Sequence, residues 1–168
     1  MKNNQKIVIV SGYFNPVHSG HINLLKSAKK LGEKLIVVLN NDNQVKIKGS
    51  FPFMKQNERK KVIESIIYVD EVASSTDKDH SVCQSIERIY KKYSKIGNFD
   101  FIFANGGDRK KDNVPEYKIC RKYNIKMVYN VGGGKKQSSS WLIKKAKKCK
   151  IHNEELKYCE KCLNKLKK

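Results

Sequence analysis

The chain of 168 residues has little arginine and no long apolar segment. Only four of its 36 basic residues are arginine, and 16 residues are acidic, so the net charge of +20 comes almost entirely from lysine. Arginine is the side chain that reads bases and phosphates in two-point contacts, so this composition disfavours nucleic acid as a partner and favours small anionic ligands. No apolar run approaches the roughly 18 residues that cross a bilayer, and the polar start lacks a signal-peptide pattern. We therefore expect a cytoplasmic protein with no membrane span.

The five cysteines are an odd number, which argues against a disulfide framework. Cys83 and Cys120 fall in predicted helices, where we expect them to face the core. The other three lie near the C-terminus in the pattern Cys149-x2-His152-x6-Cys159-x2-Cys162. Three thiolates and one imidazole suit a single tetrahedral, structural Zn²⁺. The alternative is an amphipathic terminal helix whose cysteines pack on the domain.

Short apolar runs alternate with segments of helical spacing. Continuous apolar runs predict buried strands at 6–11, 34–40, 68–73, 99–104 and 125–131. Helical spacing, with Asn57 as an N-cap and Pro115 in a first turn, predicts helices at 18–31, 57–67, 79–93, 115–123 and 138–148. This order predicts an α/β fold, a Rossmann-like doubly wound parallel sheet of about five strands. Residues 1–148 would form that domain, and 149–168 a zinc-knuckle-like appendage.

The segment that follows the first strand carries two of the four histidines, His18 and His21. In doubly wound sheets, ligands bind beyond the carboxyl ends of the strands. Residues three apart share one face of a helix's first turn, and a helix N-terminus favours anions. Two imidazoles placed there can donate hydrogen bonds to phosphate oxygens that gain charge in a transition state. The alternative is a loop whose histidines only cap a helix.

This segment resembles the signature of the nucleotidylyltransferase superfamily, which reads G-x-F-[DN]-P-x-H-x-G-H. The matching residues are Gly12, Phe14, Asn15, Pro16, His18, Gly20 and His21. Later segments are similar to glycerol-3-phosphate cytidylyltransferases and heptose-phosphate adenylyltransferases, so the resemblance spans about residues 5–148. Asn15 stands where cytidylyltransferases commonly have aspartate, which leaves the choice of nucleotide open.

The resemblance implies three sets of site residues. The catalytic set is His18, His21 and Lys46. The nucleotide-binding set is Gly12, Tyr13, Phe14, Asn15, Gly20, Gly107, Asp108, Arg109, Ser138, Ser139 and Ser140. The substrate-binding set is Asp42, Lys48 and Arg59.

The activity implied by the resemblance is transfer of CMP or AMP from CTP or ATP to a small phosphomonoester. Polyol, sugar and amino-alcohol phosphates are all open as acceptors, pyrophosphate would leave, and Mg²⁺ would accompany the nucleotide. The resemblance also allows a homodimer. The alternative is a non-catalytic basic module with a zinc knob that binds nucleic acid.

Overall fold

The computed structural model describes residues 4–107, 109, 114–134 and 137–146, with side chains as far as Leu142. The strands are β1 (Gln5–Gly12), β2 (Lys34–Leu39), β3 (Glu71–Ser74), β4 (Phe99–Gly106) and β5 (Lys126–Val131). The helices are α1 (Ser19–Lys29), α2 (Asp42–Ile47), α3 (Gln56–Glu64), α4 (Cys83–Ser94), α5 (Tyr117–Lys122) and α6 (Ser139–Ala146). The predicted zinc ligands Cys149, His152, Cys159 and Cys162 lie outside the described residues.

The five strands form one parallel sheet in the order β3-β2-β1-β4-β5. The chain builds outward from β1 in one direction to β3, then returns and builds in the other direction through β4. The carboxyl ends of β1 and β4 therefore border the crevice at which the winding reverses, the usual ligand position in open α/β sheets. The predicted fold, a Rossmann-like doubly wound sheet of five strands, is confirmed.

The sheet is buried on both faces, which explains its continuous apolar runs. Ile7 and Ile9 of β1 pack in the cluster that contains the apolar faces of α4 and α5. Val8 and Val10 pack in the cluster on the opposite face, with residues of α1 and α3. Because successive side chains of a strand alternate between faces, one strand supplies both halves of the core.

Cysteine placement follows the prediction for one of the two helical cysteines. Cys120 on α5 is fully buried in the core, where burial raises the pKa of its thiol to about 12. Cys83 opens α4 and is half-buried, with its thiol directed at the carbonyl of Pro115, 3.8 Å away. The expectation that Cys83 faces the core is therefore only partly met.

Three local features differ from the sequence-based expectations. The short helix α2 was not predicted; its N-cap is Asn41, whose side chain accepts a hydrogen bond from the Gln44 backbone N–H. Helix α3 is capped at Lys55 and not at Asn57, because the Lys55 N–H donates to the Glu58 carboxylate and the turn closes earlier. His80 lies in a bend before α4 and not in its first turn.

No helix in the described ranges is long and apolar enough to cross a membrane.

Candidate active site

The two signature histidines lie together where α1 begins. His18 is the N-cap of α1, and the rings of His18 and His21 stack with centroids 3.8 Å apart and planes 22° apart. The His18 backbone N–H donates to Nδ1 of His21 over 3.3 Å. This bond leaves Nε2 as the protonated, donating nitrogen of a neutral His21 ring.

Both histidines are held in the neutral state. Burial lowers the pKa of His21 to about 3, with further lowering from His18 and from the ammonium group of Lys48. Burial also lowers the pKa of His18. The Nδ1 atom of His18 is buried and has no hydrogen-bond partner among the residues that the structure describes. The pair therefore presents polar nitrogens whose protonation an approaching anion would favour.

The remaining signature residues shape the turn around these rings. Phe14 is fully buried, has a φ of 48°, and its ring lies 4.7 Å from that of His21. A Cβ at Gly12 would lie 2.8 Å from the Phe14 ring, and a Cβ at Gly20 would lie 3.1 Å from the His18 ring. Gly12 and Gly20 thus leave the space that the Phe14 and His18 rings occupy.

The start of α6 packs directly against this turn. Ser139 Oγ donates to the carbonyl of Pro16 over 2.9 Å, and Ser19 Oγ donates to Oε1 of Gln137 over 3.3 Å. The Ser138 and Ser140 hydroxyls lie 3.0 Å apart at the same helix end. Two helix N-termini, those of α1 and α6, therefore meet beside the histidines, and both favour an anion.

A glycine allows the chain to reach this position. Gly132 follows β5 with a φ of +83°, and a Cβ there would lie 2.8 Å from the backbone of Leu24 on α1. Only glycine tolerates both the conformation and the contact. The close crossing over α1 carries the chain on to Ser139.

Among the described residues, Lys48 is a lysine whose charge acts on His21. Its ammonium group lies 4.2 Å from the centroid of the Tyr13 ring, and its charge lowers the pKa of His21. Lys46, which the sequence places in the catalytic set, lies on α2 and is exposed, as Lys48 is. Of these two lysines, it is Lys48 whose charge acts on the histidine pair.

Asn15 holds a neighbouring loop, the strap (residues 51–54), against the signature turn. Its Nδ2 donates to the carbonyl of Phe51 over 2.8 Å, and its Oδ1 accepts from the N–H groups of Phe53 and Met54. The side chain is buried, so both ends of the amide are used within the protein. An aspartate could accept the two N–H bonds but could not donate to Phe51.

Arg59 is fully buried and donates hydrogen bonds to several segments that surround the site. Its guanidinium donates to the carbonyls of Tyr13, Asn40 and Met54. It also pairs with the Asp42 carboxylate at 2.5 Å. With no exposed surface, Arg59 has no atom to offer a substrate in this conformation, so its observed contacts give it a positioning role. Asp42 is the partly exposed member of the pair.

The residues after β4 complete the rim. Gly107 has a φ of +68°, and within the described part of the chain nothing lies within 4 Å of a Cβ built there. Arg109 is half-buried, and its charge lowers the pKa of Tyr13, which burial raises. Arg109 and Tyr13 therefore face one another across the edge. Asp108 lies outside the described residues.

Comparison with known proteins places this geometry in a family. The cytidylyltransferase-like family matches residues 9–152. The chain belongs to the cytidylyltransferase-like family. The match covers every described residue of the predicted site, from Gly12 to Ser140.

Several known proteins are similar to the chain over part of their length. An FAD synthase from Pyrococcus horikoshii is 43% identical over 74 residues, covering 43% of this chain and 50% of the relative. A bifunctional HldE protein from Desulfatibacillum aliphaticivorans is 30% identical over 127 residues, covering 74% of this chain and 24% of the relative. An ethanolamine-phosphate cytidylyltransferase from Dictyostelium discoideum is 27% identical over 140 residues, covering 72% and 39%. The chain thus spans half or less of each relative's length.

Solved structures show the same architecture. A lipopolysaccharide core biosynthesis protein from Thermoplasma volcanium superposes with a TM-score of 0.60 at 25% identity, covering 76% of this chain and 97% of that one. A protein from Vibrio parahaemolyticus superposes with a TM-score of 0.58 at 16% identity, covering 90% of each chain, and supports the fold alone.

The sequence analysis assigned no individual role to several residues that shape this cytidylyltransferase-like site. They are Ser19 and Gln137 between the two helix ends, Gly132 at the crossing, and Asn105 and Glu116, whose buried oxygens have no partner within the described part of the chain. Gly132 opens a run of three glycines, which is a visible signal. The others are ordinary polar residues whose role depends on contacts with distant segments, such as the pairing of residue 19 with residue 137.

Proposed function

We propose that the chain is a nucleotidylyltransferase that transfers a nucleoside monophosphate from CTP or ATP to a small phosphomonoester and releases pyrophosphate. The observation that carries this proposal is the stacked His18–His21 pair at the meeting point of two helix N-termini. The family relationship and the relative named ethanolamine-phosphate cytidylyltransferase support the same reaction class.

The reaction joins two phosphates. An oxygen of the phosphomonoester attacks the α-phosphorus of the triphosphate, a new P–O bond forms, and the bond to the β-phosphate breaks. A phosphomonoester is largely a dianion at neutral pH, because its second pKa is about 6. The nucleophile therefore needs no protein base, and the work of the chain is positioning and charge stabilisation.

The histidines would stabilise the charge that develops on the transferred group. His21 donates from Nε2, because its Nδ1 is occupied by the His18 N–H. The His21 ring is neutral when no ligand is bound, so it attracts no counter-ion that an incoming triphosphate would have to displace. Added negative charge raises the pKa of both imidazoles and strengthens these hydrogen bonds.

Cations and hydroxyls would bind the outer phosphates and the acceptor. Lys48 lies where its charge acts on His21, which makes it the described lysine best placed for a phosphate. Ser138 and Ser140, at the start of α6, are assigned to the β- and γ-phosphates. Lys46 and Arg109 remain candidates for phosphates that extend along the rim.

Magnesium would enter with the nucleotide. Among the described residues, no group of three or more His, Cys, Asp or Glu side chains comes together in a way that could hold a metal ion. Mg²⁺ commonly keeps several waters and binds through substrate phosphates, which suits such a site. When bound, it would neutralise phosphate charge and orient the leaving pyrophosphate.

A pyrophosphate-release screen tests the proposal. The purified chain is mixed with Mg²⁺, each of the four NTPs, and a panel of phosphomonoesters that includes glycerol 3-phosphate, phosphoethanolamine and a heptose phosphate. We expect release with CTP or ATP and one acceptor class, and none with the same acceptor after its phosphate is removed. Pyrophosphate release that is equal with the phosphorylated and the dephosphorylated acceptor would contradict the proposed chemistry. So would the absence of pyrophosphate release with every pair of NTP and acceptor.

A further inference from the structure

Two buried side chains, Asn105 near the end of β4 and Glu116 at the N-cap of α5, each have an oxygen with no hydrogen-bond partner among the described residues. Asn105 and Glu116 are each 2% exposed. Within the described part of the chain, Oδ1 of Asn105 and Oε2 of Glu116 have no hydrogen-bond partner. Buried oxygens are nearly always hydrogen-bonded in folded proteins, so two such atoms at one edge of the sheet call for an explanation.

The other polar atom of each side chain contacts the backbone. Oε1 of Glu116 accepts a hydrogen bond from the backbone N–H of Val82 at 3.0 Å, just before α4. The Asn105 amide nitrogen lies 3.5 Å from the carbonyl of Phe103. The hydrogen bond from Val82 orients the Glu116 carboxylate, whereas the long contact of Asn105 leaves its amide weakly held.

Both residues lie on the carboxyl-end side of the sheet, because Asn105 is near the end of β4 and Glu116 is the N-cap of α5, the helix that follows β4. Asn105 is at the carboxyl end of β4, where the pairing of β4 with β5 shifts register between Ala104 and Gly106. Such bulges re-aim side chains and are common beside active sites. Glu116 acts electrostatically on Tyr13, which follows β1 in the signature turn and also interacts with Arg109.

The chemistry of the two oxygens restricts which groups they could bind. An amide oxygen and a carboxylate oxygen accept hydrogen bonds and donate none. A phosphate dianion has no hydrogen to donate and would be repelled by the carboxylate. The matching group therefore carries O–H or N–H donors and belongs to the part of a substrate that is not phosphate.

We propose that Asn105 and Glu116 form a specificity subsite that accepts hydrogen bonds from a hydroxyl or amino group of a substrate. The inference rests on the proposed nucleotidyl transfer, which supplies two sources of such donors. One is the nucleoside, through its ribose hydroxyls or base amino group. The other is the alcohol or amine part of the phosphomonoester.

The test uses Glu116→Gln, which keeps an oxygen for Val82 and places an amide NH₂ where an acceptor oxygen was. Glu64→Gln is the matched control, since Glu64 is exposed at the end of α3, where it forms an ion pair with Lys60. A third variant, Asn105→Ala, removes the second oxygen. Thermal unfolding of all three records whether each variant folds.

The nucleotide arm measures equilibrium binding by calorimetry, without turnover. The probes are CTP, ATP, their 2′-deoxy and 3′-deoxy forms, and UTP and ITP, which lack the base amino group. The acceptor arm compares KM for glycerol 3-phosphate and phosphoethanolamine with KM for propyl phosphate, which carries neither a hydroxyl nor an amine.

We expect Glu116→Gln to weaken binding or raise KM at least tenfold for the probe that carries the recognised donor. The penalty should fall below about twofold for the analogue that lacks this donor, because the variant then loses nothing. Loss of the penalty with a deoxy-nucleotide, UTP or ITP identifies the nucleoside, and loss with propyl phosphate identifies the acceptor.

The proposal is overturned if the Glu116→Gln penalty is the same for every probe, or if no probe is affected. The first result means a structural role, and the second means that the oxygens bind water only. The wild-type protein separates this outcome from failure of the proposed function. If the wild type binds CTP or ATP but releases no pyrophosphate, the proposed transfer fails, and the nucleotide arm still decides the role of Glu116.

Discussion

The helices α1 and α4 both begin at the carboxyl edge of the parallel sheet, yet their N-termini have opposite surroundings. At α4 the buried carboxylate of Asp77 accepts hydrogen bonds from the N–H groups of Gln84 and Ser85 and from the hydroxyls of Ser75 and Ser85. At α1 there is no acidic residue in the first turn, and two neutral histidines stand there instead.

The difference shows that a helix N-terminus can be used to stabilise the fold in one place and left open to an anion in another. A helix N-terminus favours negative charge. At α4 the chain supplies that charge itself, because the Asp77 carboxylate accepts hydrogen bonds from the N–H groups of Gln84 and Ser85 and stabilises the helix end. At α1 it supplies no charge, which leaves the favourable field available to an anionic ligand. The contrast predicts that changes at α1 affect turnover, whereas changes at α4 affect stability.

The largest expected effect is on turnover, from His18→Ala or His21→Ala. Each change removes a preorganised donor beside the transferred phosphate and should lower kcat by more than about 100-fold. Steady-state pyrophosphate release measures this, and circular dichroism and cooperative unfolding serve as the control for folding. Near-normal turnover in both variants would show that α1 is not the catalytic helix.

The reverse behaviour is expected of Asp77→Asn at α4. The substitution removes a charged acceptor that holds four donors and should lower the free energy of unfolding by about 2 to 3 kcal/mol. Because Asp77 stabilises the start of α4 and is not among the predicted site residues, kcat at a temperature where the variant is folded should stay within about threefold of wild type. Urea denaturation and the same turnover assay measure both. A large loss of kcat in a folded variant would contradict the claim that changes at α4 affect stability and not turnover.

The pH dependence of stability sharpens the comparison further. His21 has a folded-state pKa of about 3 against an ordinary 6.5. Above pH 6.5 both folded and unfolded states are neutral at this residue, so it adds no pH dependence. Below pH 6.5 the unfolded chain takes up a proton that the folded chain refuses, and stability falls by about 2 kcal/mol between pH 7 and pH 5.

Urea unfolding at pH 7, 6 and 5 measures this loss, with His21→Gln as the control that cannot titrate. The wild type should lose about 2 kcal/mol more than the variant over this range. Lowered carboxylate pKa values, such as that of Glu71 at about 2, act mainly below pH 5 and leave this window clear. Equal loss in the two proteins would mean that His21 is not held neutral.

A smaller effect is expected from Asn15→Asp. The new carboxylate cannot donate to the Phe51 carbonyl and faces that oxygen with negative charge, so the strap should loosen. We expect a loss of about 1 to 2 kcal/mol in the free energy of unfolding. Asn98→Asp, at an exposed position outside the helices and just before β4, is the matched control. No change in stability would mean that Asn15 does not hold the strap.

The smallest effect on turnover is expected from removal of zinc. The predicted ligand set Cys149, His152, Cys159 and Cys162 contains none of the residues assigned to phosphate binding. Metal analysis of freshly purified protein should find one zinc per chain, and kcat should change less than about twofold when zinc is stripped and Mg²⁺ restored. Absence of zinc from protein never exposed to chelator would reject the site.

The strands and the histidine signature could be read from the sequence because their signals are local. Continuous apolar runs mark strands that are buried on both faces, and the spacing of His18 and His21 places both rings on one helical turn. The roles of Asn15 and Arg59 could not be read in this way. Both look like ligand-binding groups in the sequence, but their donors are used by the strap and by the carbonyls of Tyr13 and Asn40.

The sequence by itself determined the alternation of strands with helices other than α2, the doubly wound class and the position of the signature turn, because periodicity and glycine spacing act over a few residues. Only the tertiary structure decided that the charge of Lys48 acts on His21, that α6 meets α1, and that Asn105 and Glu116 have oxygens with no partner among the described residues. Each of these facts depends on segments far apart in the chain, and only packing brings such segments within hydrogen-bonding or electrostatic reach.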